Sequence, residues 1–267
     1  MEKIAFIGAG NMAEALIRGI IRDRLVAPEE IIAGEVNPGR REEVSRELGI
    51  RVTGDNREAV AGAGIVILAV KPQSLDPVLE KIAGEITGDQ LVISILAGVS
   101  TRRIEERLGN EVPVIRVMPN TPALVGAGVS VISPGRRAGE DALATARTIL
   151  GAVGEVRVLE EKMIDAVTAL SGSGPAYFFL LVEAMIRAGE KLGLPREEAE
   201  RLAGETLAGA GRLLKESGRT AEELRRQVTS PGGTTEAAVA VFRERGLEKI
   251  VIAALEAAAR RSKELGG

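Results

Sequence analysis

Two short glycine-rich stretches hold the residues best suited to binding chemistry in this chain. IGAGNMA (7–13) is one. Gly8 permits a tight turn, and Gly10 has no Cβ, so backbone can come close to a pyrophosphate. Ala13 stands where a third glycine is usual and still allows close helix–strand packing. A helix opening here offers free N–H groups and the positive end of its dipole. The spacing reads as dinucleotide binding, provided a strand precedes it and a helix follows. VTSPGGTTEA (228–237) is the other stretch. It sets a proline, two glycines and two threonines before an Ala-rich helical pattern. Such a loop carries many exposed donors and little side chain, more than a plain connection needs.

Further motifs surround the first loop. EVNPGRR (35–41) follows the second apolar run. Glu35 is near the place where an acid holds ribose hydroxyls, but Asn37, Arg40 and Arg41 follow it. An asparagine with two guanidinium groups suits a 2′-phosphate better than a carboxylate does. The reading favours NADP(H) and leaves NAD(H) open. AVKP (69–72), ILAG (95–98) and MPNTP (118–122) each close an apolar run, the position where open α/β sheets bind ligands. Lys71 is a candidate catalytic lysine or an organiser of its loop.

Composition narrows the chemistry. The chain has 267 residues, no Cys, no His and no Trp. Disulfides, thiol nucleophiles, Ser-His-Asp triads and most zinc sites are thereby excluded, and no metal is expected. Aromatic residues are only 2%, so platforms for stacking bases are nearly absent, and a net charge of -3 gives no basic footprint. No nucleic-acid partner is expected. No signal peptide and no apolar run of membrane-spanning length is read in the sequence, so the expected location is cytoplasmic, without a membrane partner.

The elements that position these motifs fall into two rhythms. Runs at 3–8, 30–36, 64–70, 90–96 and 113–119 read as buried strands, with 125–133 and 154–159 as two more. Helices are expected at 12–24, 38–48 and 138–150. Continuous apolar runs alternating with helices imply a mostly parallel sheet covered on both faces. After residue 159 only helical patterns follow, at 162–170, 175–192, 196–217, 221–227, 235–245 and 247–265. The expected fold is an α/β dinucleotide-binding domain over 1–159, then an all-α domain over 160–267. AYFFLLVEAMI (176–186) is apolar nearly all round. Such a helix is the centre of one bundle or is buried against a second subunit; about a hundred residues of helix make a thin bundle, which favours the second.

GAGNMA, AVKPQ, ILAGV, RVMPNTP, SGSGPAY (171–177) and VTSPGGTT together resemble the Δ1-pyrroline-5-carboxylate reductase family, over essentially the whole chain. VTSPGGTTEAAV is the most specific piece and GxGxxA the least. The resemblance implies NAD(P)H-dependent reduction of pyrroline-5-carboxylate to L-proline, the last step of proline biosynthesis. It implies a Rossmann domain and a helical domain that forms a homodimer, with decamers as the further assembly in the family. The substrate would be a small cyclic imine bearing a carboxylate. Ser230 would offer a hydroxyl and Gly233, Thr234 and Thr235 their N–H groups, with help from the helix dipole of roughly 0.3–2 kcal/mol. An imine protonated by solvent is already electrophilic, so positioning suffices and no histidine is needed. Thr235 would orient the ring nitrogen. The expected substrate contacts are Val228, Ser230, Gly233, Thr234 and Thr235, the last also catalytic. The expected cofactor contacts are Gly8, Ala9, Gly10, Asn11, Met12, Asn37, Arg40, Asn56, Ala69, Val70, Lys71, Pro72, Ala97, Gly98 and Asn120. Ser171, Ser173 and Tyr177 are further candidates for touching ligand, and Gly172 and Gly174 for close helix approach.

Three other readings stay open at this point. A β-hydroxyacid dehydrogenase would carry a lysine where Phe178 stands, four residues after Gly174, and alcohol oxidation needs such a base. An imine reductase of other substrate range would keep the same loop. A nucleotide-sensing protein would keep IGAGNMA but has no need of VTSPGGTT.

Overall fold

The computed structural model describes residues 2–109 and 111–266. They form two compact units, one running to Ser173 and resuming at Ala258, the other spanning Gly174–Ala257. The divide expected at residue 160 lies earlier than this one, because the residues just after it pack on the sheet unit, as does the end of the last helix.

The first unit is built on eight strands: β1 Ile4–Ile7, β2 Ile31–Gly34, β3 Arg51–Thr53, β4 Ile65–Leu68, β5 Leu91–Ser94, β6 Val114–Met118, β7 Gly128–Pro134 and β8 Gly154–Val158. Their order is β3-β2-β1-β4-β5-β6-β7-β8. All pairings are parallel except β6 with β7. β1, β4 and β5 are buried along their whole length, which is why they read as unbroken apolar runs. β3 was not expected. Its three residues are exposed or half-buried at the sheet's edge and carry no apolar run.

Helices cover both faces. α1 Asn11–Arg22 and α2 Pro38–Leu48 lie on one, α3 Asn56–Val60, α4 Leu75–Ile82 and α5 Thr101–Leu108 on the other, and α6 Glu140–Gly151 returns to the first. Phe6, Leu16, Ile20, Ile67 and Ile149 centre one core; Ile7, Leu68, Leu75, Leu79 and Ile104 centre the other. The strand order reverses between β1 and β4, so the loops after these strands diverge to opposite faces and leave a crevice between them.

A 3-10 turn at Glu161–Met163 leads into α7 Ile164–Val167, then a π-helical turn at Thr168–Gly172, then α8 Gly174–Lys191. The SGSG stretch, expected to break the helix, is wound into it. The continuous run Glu161–Lys191 is therefore long and apolar enough to cross a membrane by length and composition, unlike the expectation that no run would be. α9 Arg196–Glu216, α10 Ala221–Gln227, α11 Thr234–Glu244 and α12 Leu247–Gly266 complete the chain.

The helical unit has almost no core of its own. In α8, Phe178, Phe179, Leu180 and Leu181 are 44–62% exposed, and Phe242 of α11 and Ile250 of α12 are exposed too. Only Gly174, Ala199 and Ala203 are buried there, among the described residues. Within one chain α8 is not enclosed on every side. Apolar area on this scale is characteristic of a protein–protein interface.

Candidate active site

The crevice at the strand ends holds a cavity of about 430 Å³. Gly8, Ala9 and Gly10 line it from β1, Gly34, Glu35 and Val36 from β2, and Ala69, Val70 and Lys71 from β4, with Asn56, Ser74 and Val78 closing it. Seven expected cofactor contacts thus meet here: Gly8, Ala9, Gly10, Asn56, Ala69, Val70 and Lys71.

The two glycines of the first loop do different work. Gly8 has φ +97, and an added Cβ would lie 2.7 Å from the Ala69 carbonyl oxygen. Its N–H donates to Gly34 O at 2.8 Å, so this residue extends the pairing of β1 with β2. Gly10 has φ −73 and ψ 179, ordinary extended backbone, and an added Cβ would meet nothing within 4 Å. No protein atom requires glycine there; open space above the backbone does. No side chain caps α1, so its first N–H groups are left for a ligand. A pyrophosphate fits this arrangement by shape and by charge.

Asn11 is exposed in the first turn of α1, while Met12 packs on the core. Pro72 opens a 3-10 turn. Other expected contacts have side chains already engaged. Asn37 caps α2, its Oδ1 accepting from Arg40 N at 3.2 Å. Arg40 Nε donates to Ala9 O at 2.8 Å, and its guanidinium pairs with Glu14 at 2.5 Å and Glu43 at 2.9 Å. The Arg40 hydrogen bond holds the Glu14 carboxyl below its ordinary range. In this structure Arg40 is therefore a strut beneath the phosphate loop and not a free cation, contrary to its expected role.

Asn120, nine-tenths buried, donates from Nδ2 to Ser171 O at 3.2 Å and accepts at Oδ1 from Val129 N at 2.9 Å. Its side chain ties β6 to β7 and to the π-turn through one N–H and the carbonyl oxygen of its amide. Ser171 Oγ donates to Val167 O at 3.1 Å and is likewise turned into its helix. Gly172 allows close approach as expected, since a Cβ would collide with Met118 Cε; at Gly174 there is open space. Gly98 (φ +74) lies buried under the last turn of α12, where a Cβ would sit 3.0 Å from the Leu265 carbonyl carbon. Ala97 beside it is half-buried. That turn is held by Ser262 Oγ, 2.7 Å from Asp165 Oδ1.

In the helical unit, Val228 ends α10 and is exposed. Ser230 and Thr234 are exposed, while Gly233 and Thr235 are half-buried. Gly232 (φ +69) donates its N–H to Glu236 Oε2 at 2.8 Å, and Gly233 N–H donates to Ser230 O at 3.0 Å. The Gly233 amide is thus spent inside the turn and is not one of the free donors expected. What requires glycine is the Ser230 hydroxyl, into which a Cβ would run. Thr234 and Thr235 begin α11 with no capping side chain, so their N–H groups point out of the helix unpaired. Glu236 was missed, although an acid at the third helical position is a recognisable capping signal.

Comparison with known proteins bears on both halves. Residues 161–265 match the family model for pyrroline-5-carboxylate reductase dimerisation, and residues 3–98 match that for NADP oxidoreductase, coenzyme F420-dependent. The chain is 46% identical over 264 residues to a pyrroline-5-carboxylate reductase of Synechocystis, covering 99% of this chain and 98% of the relative. It superposes on a Coxiella burnetii pyrroline-5-carboxylate reductase with TM-score 0.93 at 39% identity, over 100% of this chain and 99% of the other. It superposes on a Plasmodium falciparum pyrroline carboxylate reductase with NADP bound with TM-score 0.90 at 30% identity, over 100% and 98%.

Proposed function

The chain belongs to the pyrroline-5-carboxylate reductase family, and on that premise we propose how its residues serve the family's reaction. It is an NAD(P)-dependent oxidoreductase that reduces 1-pyrroline-5-carboxylate to L-proline, the final step of proline biosynthesis, with NADP(H) as cofactor. When bound, the reduced nicotinamide supplies the hydride that the imine carbon receives. Gly10 and the first amides of α1 bind the pyrophosphate, and Gly8 and Ala9 shape the turn beneath it. Ala69, Val70 and Lys71 form the opposite wall. The open space above Gly10 is the observation that carries this assignment.

The loop of the helical unit is the proposed holder of the substrate's acid group. Thr234 and Thr235 N–H groups and the Ser230 hydroxyl grip the carboxylate, and the dipole of α11 favours its charge. Thr235 orients the ring nitrogen through its hydroxyl. The imine takes its proton from water, so no side chain must act as a strong acid. Val228 is the apolar neighbour of the ring. The engaged amides of Gly232 and Gly233 shape the loop rather than touch the ligand.

The helical region 160–267 is the proposed substrate-binding and dimerisation domain. The chain carries its family's dimerisation region, and a second copy covers the exposed faces of α8, α11 and α12. That places a protein, and not lipid, over the Glu161–Lys191 helix. Assembly of dimers into a decamer and a cytoplasmic location complete the proposal.

The test compares oxidation of NADPH in the presence of pyrroline-5-carboxylate with reduction of NADP⁺ in the presence of a 2-hydroxy acid. Loss of NADPH absorbance with the imine alone supports the assignment. Turnover of the hydroxy acid, with the imine inert, would overturn it.

A further inference from the structure

We propose that Glu161, held by the buried Arg116, is a positioning residue for hydride transfer: it fixes the loop after β5, toward which the nicotinamide half of the dinucleotide extends. The inference rests on the proposed function above and extends it to residues outside the crevice.

A polar row crosses the apolar strands β5, β6 and β7. Ser94, Arg116 and Ser133 stand side by side in register, and all three are buried. Each holds a stretch of chain that has left the sheet. Ser94 Oγ accepts from Leu96 N–H at 3.4 Å, at the start of the loop after β5. Ser133 Oγ donates to Leu159 O at 2.7 Å, just before the helical run. Arg116 Nη1 donates to Glu161 Oε1 at 3.2 Å, in the first turn of that run. The Glu161 carboxylate then reaches α5. Thr101 N–H donates to Oε1 and Thr101 Oγ1 donates to Oε2, each at 2.8 Å. All of these residues belong to the sheet unit.

Thr101 opens α5 and so ends the loop 95–100. Within that loop Leu96 and Val99 are buried, and Gly98 lies under Leu265. The loop is thus pinned at both ends and inside, with half-buried Ala97 left to meet a ligand. β5 is the neighbour of β4, whose end walls the crevice. A dinucleotide with its pyrophosphate at the β1 turn and its adenosine ribose toward β2 extends its other half across β4 toward this loop.

Stability alone does not account for the Arg116–Glu161 pair. Apolar residues often replace a buried ion pair with no loss of stability, and Arg116 Nε has no partner among the described residues. The carboxylate does what an apolar side chain cannot, since it bonds the first amide of α5 and so sets the loop against the sheet. Where catalysis is positioning, a misplacement of about 1 Å costs up to about 100-fold in rate.

Single-turnover loss of NADPH absorbance, with saturating pyrroline-5-carboxylate, reads hydride transfer. Calorimetric titration with 2′-phospho-ADP-ribose, which is NADP⁺ without its nicotinamide, reads the rest of the site. Both use the full chain, well below its unfolding midpoint. Glu161→Ala should slow hydride transfer by about 10- to 100-fold. It should leave the fragment's Kd within about twofold, because the change lies away from the phosphate loop. Glu161→Ala also strands the Arg116 charge, so the double variant Glu161→Ala/Arg116→Met is made beside it. That variant should regain stability in urea and keep the slow transfer. Parent-like transfer in the double variant, or equal losses of transfer and fragment binding in Glu161→Ala, would overturn the inference while leaving the dinucleotide site in place. Absence of both transfer and fragment binding in the unaltered protein would overturn the proposed function and the inference together.

Discussion

Gly10→Val should abolish dinucleotide binding while the fold survives, and Gly8→Ala should weaken the fold first. At Gly10 the backbone is extended and the space beyond it is empty. Valine there costs the protein only a poorer helix cap, about 1 kcal/mol. For a chain of this size that is a fall in Tm of about 2–4 °C. The ligand loses far more. A branched side chain over the first turn of α1 keeps the pyrophosphate from the amides, and hydrogen bonds to a charged group are worth about 1.5–3 kcal/mol each. Losing two weakens binding by more than about 100-fold. At Gly8 the ledger is reversed. A left-handed φ costs a residue with a Cβ about 1–2 kcal/mol, and the approach to Ala69 O at 2.7 Å forces the backbone to shift, for a further roughly 1–3 kcal/mol. The sum predicts a Tm lower by about 4–20 °C. Thermal unfolding of each unliganded variant, with titration by NADPH fluorescence, separates the two effects. Equal destabilisation by both substitutions, or undiminished NADPH affinity in Gly10→Val, would refute the distinction between a glycine required by the chain and one required by its ligand.

Three other outcomes follow from the same geometry. Thr235→Ala should lower kcat with NADPH affinity nearly intact; equal losses in both, measured by steady-state kinetics and titration, would count against the substrate loop. Phe178→Asp places a charge on the exposed apolar face of α8 and should shift the protein to monomer on size-exclusion chromatography with light scattering; an unchanged oligomer would remove that face from the interface. Arg40→Leu should flatten the acid side of the stability curve. The Glu14 carboxyl is held below its ordinary value of 4.5, chiefly by Arg40. Its contribution is therefore complete above that value and lost as pH falls through the lowered one. Urea midpoints measured from pH 7 down to about pH 3 should fall less steeply in the variant than in the parent, and parallel curves would contradict the pairing.

The sheet was legible in the sequence wherever burial was two-sided. IAFI, IVIL and LVIS are apolar because both faces are covered, and unbroken apolar runs announce such strands. Arg51–Thr53 was illegible because an edge strand of three residues needs no apolar run. The π-turn was misread as a break because Ser171, Gly172, Ser173 and Gly174 disfavour an isolated helix; packing on Met118 and the Asn120–Ser171 bond hold it wound. At the candidate site, backbone-dominated positions such as Gly8 and Gly10 were readable, since only glycine has their conformational or steric allowance. Arg40, Asn120 and Gly233 were not. Their types name what they can donate, and only three-dimensional structure shows that Ala9 O, Ser171 O and Ser230 O already receive it. α8 was readable as an apolar helix, but its exposure within one chain was not, because composition does not record which face is covered.

This chain moves hydride from a reduced dinucleotide to the carbon of a cyclic imino acid. The most direct measurement follows the label: NADPH carrying deuterium at both C4 positions is mixed with pyrroline-5-carboxylate and the enzyme, and the product is weighed by mass spectrometry. Proline heavier by a single deuterium, formed in step with NADP⁺, is the predicted result. Proline without deuterium, or consumption of NADPH with no proline formed, would contradict the account.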